Sequence, residues 1–322
     1  MSKYLESQEL PHLIDYYEVC NKSEGKSQRT ITWYSANLRQ FHDFLKSRQL
    51  PNVVDRIDVK MVREYINYLL GRKRFVSHRN CRIYRELLSR ATVHGHVRTL
   101  KAFFRWLLRE GLVKVDISAN LRLPKIPNKI ISTLSDEEIR FILNTFSSGH
   151  LCDMRNKTIF MILIDTGLRV GELVNLKMDD LQQSDGVFKV MGKGQKERIV
   201  PIGNNAQRAL HKYLLFRPKP AHPGVDNVFL SIHGNALSEN SMKLMFSRLS
   251  QRSKVQRLHA HLCRHTFATR FLMNGGDIFT LQRILGHSSL EMVRHYANLA
   301  SSHIVIQHQK FSPLDRLNLS KV

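Results

Sequence analysis

Three side chains, two arginines and a histidine, have types and positions that suit the binding of an anion. Arg169 closely follows the apolar segment that ends at Gly167, which is an unusual place for a surface arginine. A buried arginine needs a negative partner, because an unpaired buried charge is costly. That partner is either Glu172 or a phosphate, and the residues alone do not choose between them. Arg264 and His261 lie three residues apart and share one face of a predicted helix.

A histidine and a tyrosine near the end of the chain form a second candidate group. Asp277 is predicted to cap a helix that ends at Gly286, and this places His287 at the following turn. Tyr296 lies in the next predicted helix, within the segment MVRHYANL. A tyrosine on such a helix is ordinarily a core residue, so the pattern alone leaves both a packing role and a chemical role open.

Neither a metal nor a nucleotide cofactor is expected. His and Cys residues alternate between 259 and 265, which spreads them around a helix, and no HExxH motif or second ligand pair accompanies them. Gly192, Lys193 and Gly194 resemble the end of a phosphate-binding loop. However, five residues rather than four separate Gly186 from Gly192, and Gly194 stands where Ser or Thr is required. The four cysteines lie far apart without a C-x-x-C pair, which favours free thiols.

The elements that would position these residues fall into two parts of the chain. Apolar residues recur at helical spacing from about 31 to 108, which predicts an all-α first part. Pro124 and Pro127 interrupt this periodicity, and Ser135 with Glu138 then forms a capping box for a new helix. We place the first domain at 1–120, a linker at 121–134 and the second domain at 135–322.

The second domain is predicted to contain a small sheet among its helices. Its strand-rich interval, GVFKVMGKGQKERIVPIG, has apolar β-formers on both sides of a Gly-Lys-Gly-Gln turn. We therefore expect a multidomain fold, with an all-α amino-terminal domain and a mainly α carboxyl-terminal domain that holds a small antiparallel β-sheet.

The charge of the chain points to a polyanionic partner. Fifty Lys and Arg residues against 27 Asp and Glu leave a formal charge of +23, far more than solubility requires. Nucleic acid is the leading candidate, while a ribosome-type binder and a merely solvated basic surface stay open. No apolar run approaches the roughly 18 residues that span a bilayer, so we expect a cytoplasmic, nucleoid-associated protein with no membrane contact.

Basic residues are concentrated between 71 and 109, where Glu86 is the only acidic residue. We predict that this stretch contacts DNA phosphates. The alternative is a charged loop at 71–92 that only stays solvated. The predicted contact residues are Arg72, Lys73, Arg74, Arg79, Arg82, Arg98, Lys101 and Arg105.

Five short segments resemble the signature of the tyrosine recombinase and integrase family, particularly of its Xer-like and mobile-element members. In chain order they are TGLRVGEL, GKGQKERIVP, HLCRHTFAT, LGHSS and HYANL. Each segment is weakly specific, but all five in this order are strongly so. The match covers about Leu134 to Leu299, and the first domain more loosely resembles the SAM-like core-binding domain of that family.

The resemblance implies a set of phosphate-binding groups. It assigns Arg169 and Arg264 as the two phosphate-binding arginines, and His261 and His287 as the accompanying histidines. Glu172 matches the supporting acidic residue that orients its neighbours. Two arginine forks and a histidine donor can stabilise a five-coordinate phosphorus without a metal.

The resemblance also implies the reaction. Tyr296 is the nucleophile that forms a covalent 3′-phosphotyrosine bond, His261 accepts or positions its proton, and Lys193 on the hairpin protonates the departing 5′ oxygen. The implied enzyme cuts and rejoins two double-stranded recombination sites without a cofactor. It is expected as a monomer when free and as a homotetramer in the synaptic complex, in integration or excision of a mobile element or in Xer-type resolution.

Two other functions are compatible with the same residues. A type IB topoisomerase shares the chemistry but reseals a single duplex, and it would not need two paired sites. A recombinase-fold DNA-binding regulator would bind DNA without forming a covalent adduct.

Overall fold

The chain divides into two units, and each is built around an apolar core of its own. Unit 1 spans Met1–Asn128 and unit 2 spans Lys129–Val322. The division lies within the predicted linker, whose two ends stay a prediction. In this computed structural model the described residues are 8–73, 87–126, 132–147, 149–192, 197–287, 289, 290, 293, 296, 308 and 312.

In the described residues of unit 1 the regular elements are helices, as the periodicity predicts, joined by turns and two isolated β-bridges. Ser27, Asp58 and Ser89 each accept a hydrogen bond from a backbone amide in the first turn of the helix that follows, which fixes where those helices begin. Their apolar faces meet in one core. The helices are α1 (Leu10–Ser23), α2 (Gln28–Ser47), α3 (Val59–Gly71) and α4 (Arg90–Arg109), with a 3₁₀ turn at Val54–Arg56.

Unit 2 combines helices with a three-stranded antiparallel sheet in the order β1–β2–β3. β2 and β3 form the hairpin that the sequence predicts, with Val187 opposite Pro201 and Met191 opposite Glu197. The helices are α5 (Asp136–Asn144), α6 (Leu151–Thr166), α7 (Val170–Asn175), α8 (Asn204–Leu215), α9 (Glu239–Arg252), α10 (Ala260–Met273) and α11 (Ile278–Leu285). The strands are β1 (Leu181–Gln182), β2 (Val187–Met191) and β3 (Glu197–Pro201). The predicted fold class is confirmed.

Helix α6 organises unit 2 because it is covered on two sides. It packs against both α8 and α10, and Ile159, Phe160 and Leu163 are fully buried. A helix that is covered on two sides is apolar all round rather than amphipathic, which is how the segment TIFMILIDTG reads. Because α10 and β3 both also pack against α11, the ends of α6, α10 and α11 and one face of β3 come together.

Within the described residues, no helix combines the length and the apolar composition that crossing a membrane requires.

Candidate active site

The turn after α6 allows the helices to approach closely. Gly167 ends α6 with φ +65°, a left-handed conformation that favours glycine. A Cβ atom at this position would lie 2.5 Å from Phe267 Cδ1 and 2.8 Å from Leu285 Cδ2. The chain can therefore turn tightly between α10 and α11, and Arg169 follows as the N-cap residue of α7.

A buried carboxylate joins two of the site's arginines. Glu172 accepts hydrogen bonds from the Arg169 amide and from Arg169 Nη1, both at 2.9 Å. Arg198 donates to both carboxylate oxygens, at 2.9 and 2.8 Å. Burial alone would raise the pKa of Glu172, but the hydrogen bonds from Arg198 and Arg169 outweigh it and hold the pKa below its ordinary value. The carboxylate is thus ionised and fully occupied by its partners.

Arg198 is a site residue that sequence analysis did not assign. Its Nε donates to the carbonyl oxygen of Ile284 at 2.7 Å, and its side chain is only 11% exposed. On β3 the inward side chains are Arg198 and Val200, whereas Ile199 between them is exposed. The alternation was visible in the sequence, but deciding which set faces inward needs the sheet's position against α11.

Arg264 is the deepest charge in the site, at 2% exposed. Its Nη1 donates to the carbonyl oxygen of Gly167 at 2.7 Å, and its Nη2 donates to that of Leu285 at 2.9 Å and to His287 Nε2 at 2.7 Å. Burial, followed by the charge of Arg169, lowers the pKa of Arg264 to about 10. The guanidinium therefore stays charged at neutral pH and is held rigidly.

The hydrogen bond from Arg264 decides the protonation of His287. A guanidinium only donates, so Nε2 of His287 is the acceptor and the ring hydrogen is on Nδ1. Burial and the nearby arginines lower the pKa of His287 to about 4, which keeps the ring neutral. Among the described residues, no hydrogen-bond partner faces the buried Nδ1. The site therefore holds a buried donor for which the described residues supply no acceptor.

Tyr296 is buried beside this cluster, at 4% exposed. It packs with apolar residues of α10 and α11, and its hydroxyl lies 2.9 Å from Nδ1 of His265. Burial raises its pKa, and the charges of Arg264 and Arg169 partly oppose that rise. The residue is thus both a core residue and a polar one, so the two roles that the sequence left open do not exclude each other.

His261 lies next to His265 rather than on the tyrosine hydroxyl. The two imidazole rings meet edge to face, with centroids 4.6 Å apart. Burial and the charge of Arg264 lower the pKa of His261. The resemblance implies that His261 accepts or positions the tyrosine proton and gives His265 no role in the reaction, although the spacing of four residues puts both histidines on one helix face.

Several predicted residues fall elsewhere or outside the described residues. Lys193 and the basic residues Arg74, Arg79 and Arg82 lie outside them. Arg98, Lys101 and Arg105 of α4 line one surface groove together with Trp33. Lys101 Nζ also donates to the carbonyl oxygens of Ala119 and Leu121, at 3.1 and 2.8 Å. Arg72 and Lys73 follow α3, where the backbone pairs with residues 87 and 88.

Residues that could hold a metal are not grouped in the part of the chain that the structure describes. No three His, Cys, Asp or Glu side chains there are placed to bind one ion. Cys263 is fully buried on α10, and burial raises the pKa of its thiol strongly. A thiol of this kind is chemically inert.

Comparison with known proteins identifies the family. Residues 132–303 match the phage integrase family, and residues 12–123 match the phage integrase SAM-like domain. The tyrosine recombinase XerC of Oceanobacillus iheyensis is 30% identical over 305 residues, which cover 93% of this chain and 94% of the relative. The tyrosine recombinase XerD of Staphylococcus saprophyticus is 29% identical over 302 residues, 93% of this chain and 97% of the relative.

Solved structures agree at the level of the fold. A crystal structure of the XerH site-specific recombinase bound to a palindromic difH substrate, in a post-cleavage complex, has a TM-score of 0.69 and 23% identity. The similarity covers 91% of this chain and 83% of that one. A crystal structure of the XerA recombinase has a TM-score of 0.50 and 28% identity, and covers 97% and 99%. The resemblance of the five segments is therefore confirmed, and the chain belongs to the phage integrase family of tyrosine recombinases.

Proposed function

We propose that Arg169, Arg264 and His287 bind the scissile phosphate of a recombination site, and that Tyr296 attacks it. The chain is a site-specific tyrosine recombinase, and double-stranded DNA is its substrate. The residue roles depend mainly on one observation: the Nδ1–H donor of His287 is buried beside a buried arginine and has no acceptor among the described residues. A buried donor without a partner is costly, and an oxygen of a bound phosphodiester would satisfy it.

The charge of the cluster also suits a phosphodiester. Arg169, Arg198 and Arg264 face a single carboxylate, that of Glu172, so the described cluster carries an excess positive charge of about two. Glu172 is occupied mainly by Arg198. Arg169 uses only its amide and Nη1 there, and its side chain is 38% exposed, so the rest of its guanidinium is available to a ligand. Oriented donors in a partly buried site stabilise the charge that develops on the phosphate oxygens.

The reaction that follows is a transesterification. The Tyr296 oxygen passes its proton to a neighbouring histidine as it forms a bond to phosphorus, the bond from phosphorus to the 5′ oxygen breaks, and Lys193 supplies the proton that this oxygen needs. The 3′ phosphate is then joined to the tyrosine, and a 5′ hydroxyl of another strand reverses the step. Because the phosphoester energy is kept, the chemistry requires no nucleotide cofactor.

Recombination needs more than one chain. We propose that the basic residues of α4 and of the segment between α3 and α4 track the DNA backbone, and that four protomers assemble on two sites. The relatives are consistent with either role that the sequence left open, integration or excision of a mobile element and Xer-type resolution. A requirement for two paired sites would separate recombination from the relaxation of a single duplex.

The experiment that tests the reaction is trapping on a nicked suicide substrate, whose small leaving fragment is lost after cleavage. The wild-type chain should accumulate a covalent protein–DNA complex, and Tyr296→Phe should form none while it binds the site within a few-fold of wild type. A persisting adduct in Tyr296→Phe would place the nucleophile elsewhere. No adduct with any substrate that the wild-type chain binds would favour a DNA-binding regulator.

A further inference from the structure

The tyrosine hydroxyl and the phosphate-binding groups face two successive residues of α10. Arg264 points toward the end of α11, where it meets the carbonyl oxygen of Leu285 and His287. His265, the next residue, points toward Tyr296, with its Nδ1 2.9 Å from the hydroxyl. The rings of His265 and Tyr296 also pack together, with centroids 5.6 Å apart. One turn of helix therefore presents a phosphate-binding cation and a nitrogen ligand for the nucleophile side by side.

The direction of the hydrogen bond follows from the surroundings of the hydroxyl. Tyr296 lies among Ala268, Leu281 and Leu285, which offer no side-chain acceptor. A buried O–H needs one, and His265 Nδ1 is the nitrogen that the described residues place at hydrogen-bond distance. The tyrosine donates, Nδ1 accepts, and the ring hydrogen of His265 is on Nε2.

We propose that His265, and not His261, is the base that receives the proton of Tyr296 during DNA cleavage; this rests on the proposed role of Tyr296 as the nucleophile. The neighbouring His261 meets the ring of His265 edge to face, and its proximity to Arg264 is consistent with a role on the phosphate side of the site.

The proton balance of the step is complete with groups already named. The phenolic oxygen of Tyr296 forms the bond to phosphorus while its proton moves along the hydrogen bond to His265 Nδ1. The bond from phosphorus to the 5′ oxygen breaks, its electron pair stays on that oxygen, and Lys193 donates a proton there. In the rejoining step His265 returns its proton to the tyrosine oxygen, and Lys193 regains one from the incoming 5′ hydroxyl.

The electrostatics of the free protein fit a base that works only on bound DNA. Burial, followed by His261, lowers the pKa of His265 to about 4, while burial raises that of Tyr296. Proton transfer before attack is therefore strongly unfavourable, and the phenol stays protonated in the absence of DNA. A phosphodiester anion beside Arg264 adds the negative charge that favours an imidazolium. Transfer then occurs together with formation of the O–P bond.

The test separates proton uptake from hydrogen bonding. His265→Asn retains an acceptor near the Nδ1 position but has no group that takes a proton. We expect cleavage of a saturating suicide substrate in a single turnover to slow by about 100-fold, within the usual range for a general base. Site binding should stay within a few-fold of wild type. His265→Gln should be slowed similarly, and it serves as a second variant if the first has a lowered thermal midpoint.

The decisive readout replaces Tyr296 with a difluorotyrosine, whose phenol is more acidic and needs less help from a base. The defect of His265→Asn should shrink at least tenfold with this nucleophile, by general acid–base reasoning. His261→Asn is the matched control on the same helix face, and its defect should be unchanged by the acidic phenol.

Three results would overturn the inference. The first is cleavage by His265→Asn at the wild-type rate, since the contact between His265 and the Tyr296 hydroxyl would then be only a hydrogen bond. Another is a defect that the acidic phenol leaves unchanged, since His265 would then be structural. The third is rescue of His261→Asn alone, which returns the base to His261. Failure of the proposed function is distinguishable, because the wild-type chain itself would then form no adduct or Tyr296→Phe would still form one.

Discussion

Replacing Arg198 by methionine tests whether the carboxylate of Glu172 depends on it. The substitution keeps an unbranched apolar side chain in place of the arginine stem but removes two hydrogen bonds to Glu172 and one to the Ile284 carbonyl oxygen. Both side chains are largely buried, at 11% and 8% exposed, so water screens the pair weakly. Removing one partner of a buried pair costs about 3–5 kcal/mol. Because Arg169 still faces Glu172, we expect the lower end, about 3 kcal/mol.

Thermal unfolding of the full chain measures this loss. For a unit of this size about 2–4 °C is lost per kcal/mol, so the midpoint of unit 2 should fall by about 6–12 °C. The double variant Arg198→Met with Glu172→Gln should recover part of the loss, because it leaves no unpaired buried charge while the amide oxygen can still accept from the Arg169 amide. A midpoint for Arg198→Met within about 2 °C of wild type would refute the reasoning.

The same variant should change the dependence of stability on pH. The folded-state pKa of Glu172 is depressed, so its contribution is present above the unfolded-state pKa of about 4.3 and is lost as the pH falls through the folded value. Without Arg198 that depression weakens. The difference in unfolding free energy between wild type and Arg198→Met should be largest near neutral pH and should narrow below about pH 4. A difference that widens in acid would have the wrong sign.

Three further outcomes are expected. Lys193→Ala should slow cleavage of normal DNA by about 10²–10⁴-fold. The same variant should cleave DNA with a bridging 5′ sulfur at close to the wild-type rate, since a thiolate of pKa about 8.5 leaves without an acid. If the sulfur does not rescue the variant, the lysine is a binding contact. Arg98→Ala and Lys101→Ala should each reduce the slope of the logarithm of the DNA-binding constant against the logarithm of the salt concentration by about 0.9. Only the lysine variant should also lower the thermal midpoint, because Lys101 donates hydrogen bonds to two backbone carbonyl groups. Unchanged slopes would show that these two residues are not part of the DNA interface. Gly167→Ala should lower the free energy of unfolding, measured with denaturant, by about 2–4 kcal/mol. Gly224 also has a positive φ, +94°, but no atom lies within 4 Å of the added carbon, so Gly224→Ala should lose only the part that comes from backbone strain. Equal losses would mean that packing around Gly167 is not limiting.

Local signals in the sequence were sufficient for much of the fold. The Ser135 capping box and the Asp277 cap both occur as predicted, because capping depends on residues three or four positions apart. Helix α1 was not assigned, although Leu10, Leu13, Ile14 and Tyr17 have helical spacing and are all buried. The helical spacing of these apolar residues is itself sufficient to predict this helix.

The candidate site was only partly predictable because it is assembled over long range. Arg169 and Glu172 are neighbours on one helix turn, so their pairing could be anticipated. The sequence could not decide whether Glu172 or a phosphate is the partner of Arg169. Arg198 reaches Glu172 across 26 positions of the chain, and His265 reaches Tyr296 across 31. No periodicity shows which strand face meets α11 or which histidine meets the tyrosine. Those contacts depend on tertiary packing.

The last carbonyl groups of α11 have a consequence for how the site tolerates change. Ile284 and Leu285 leave their oxygens without helical partners, and arginines from β3 and α10 take them at 2.7 and 2.9 Å, with Arg169 a longer 3.5 Å from the second oxygen. The carboxyl-terminal end of α11 thus fixes the positions of all three arginine side chains relative to one another. Inserting or deleting a single residue in α11 would rotate these carbonyl oxygens about the helix axis by about 100°. All three arginines would then lose their acceptors at once. Point substitutions in this helix can therefore weaken the site by degrees, whereas a change in the length of the helix should abolish the arrangement of the site altogether.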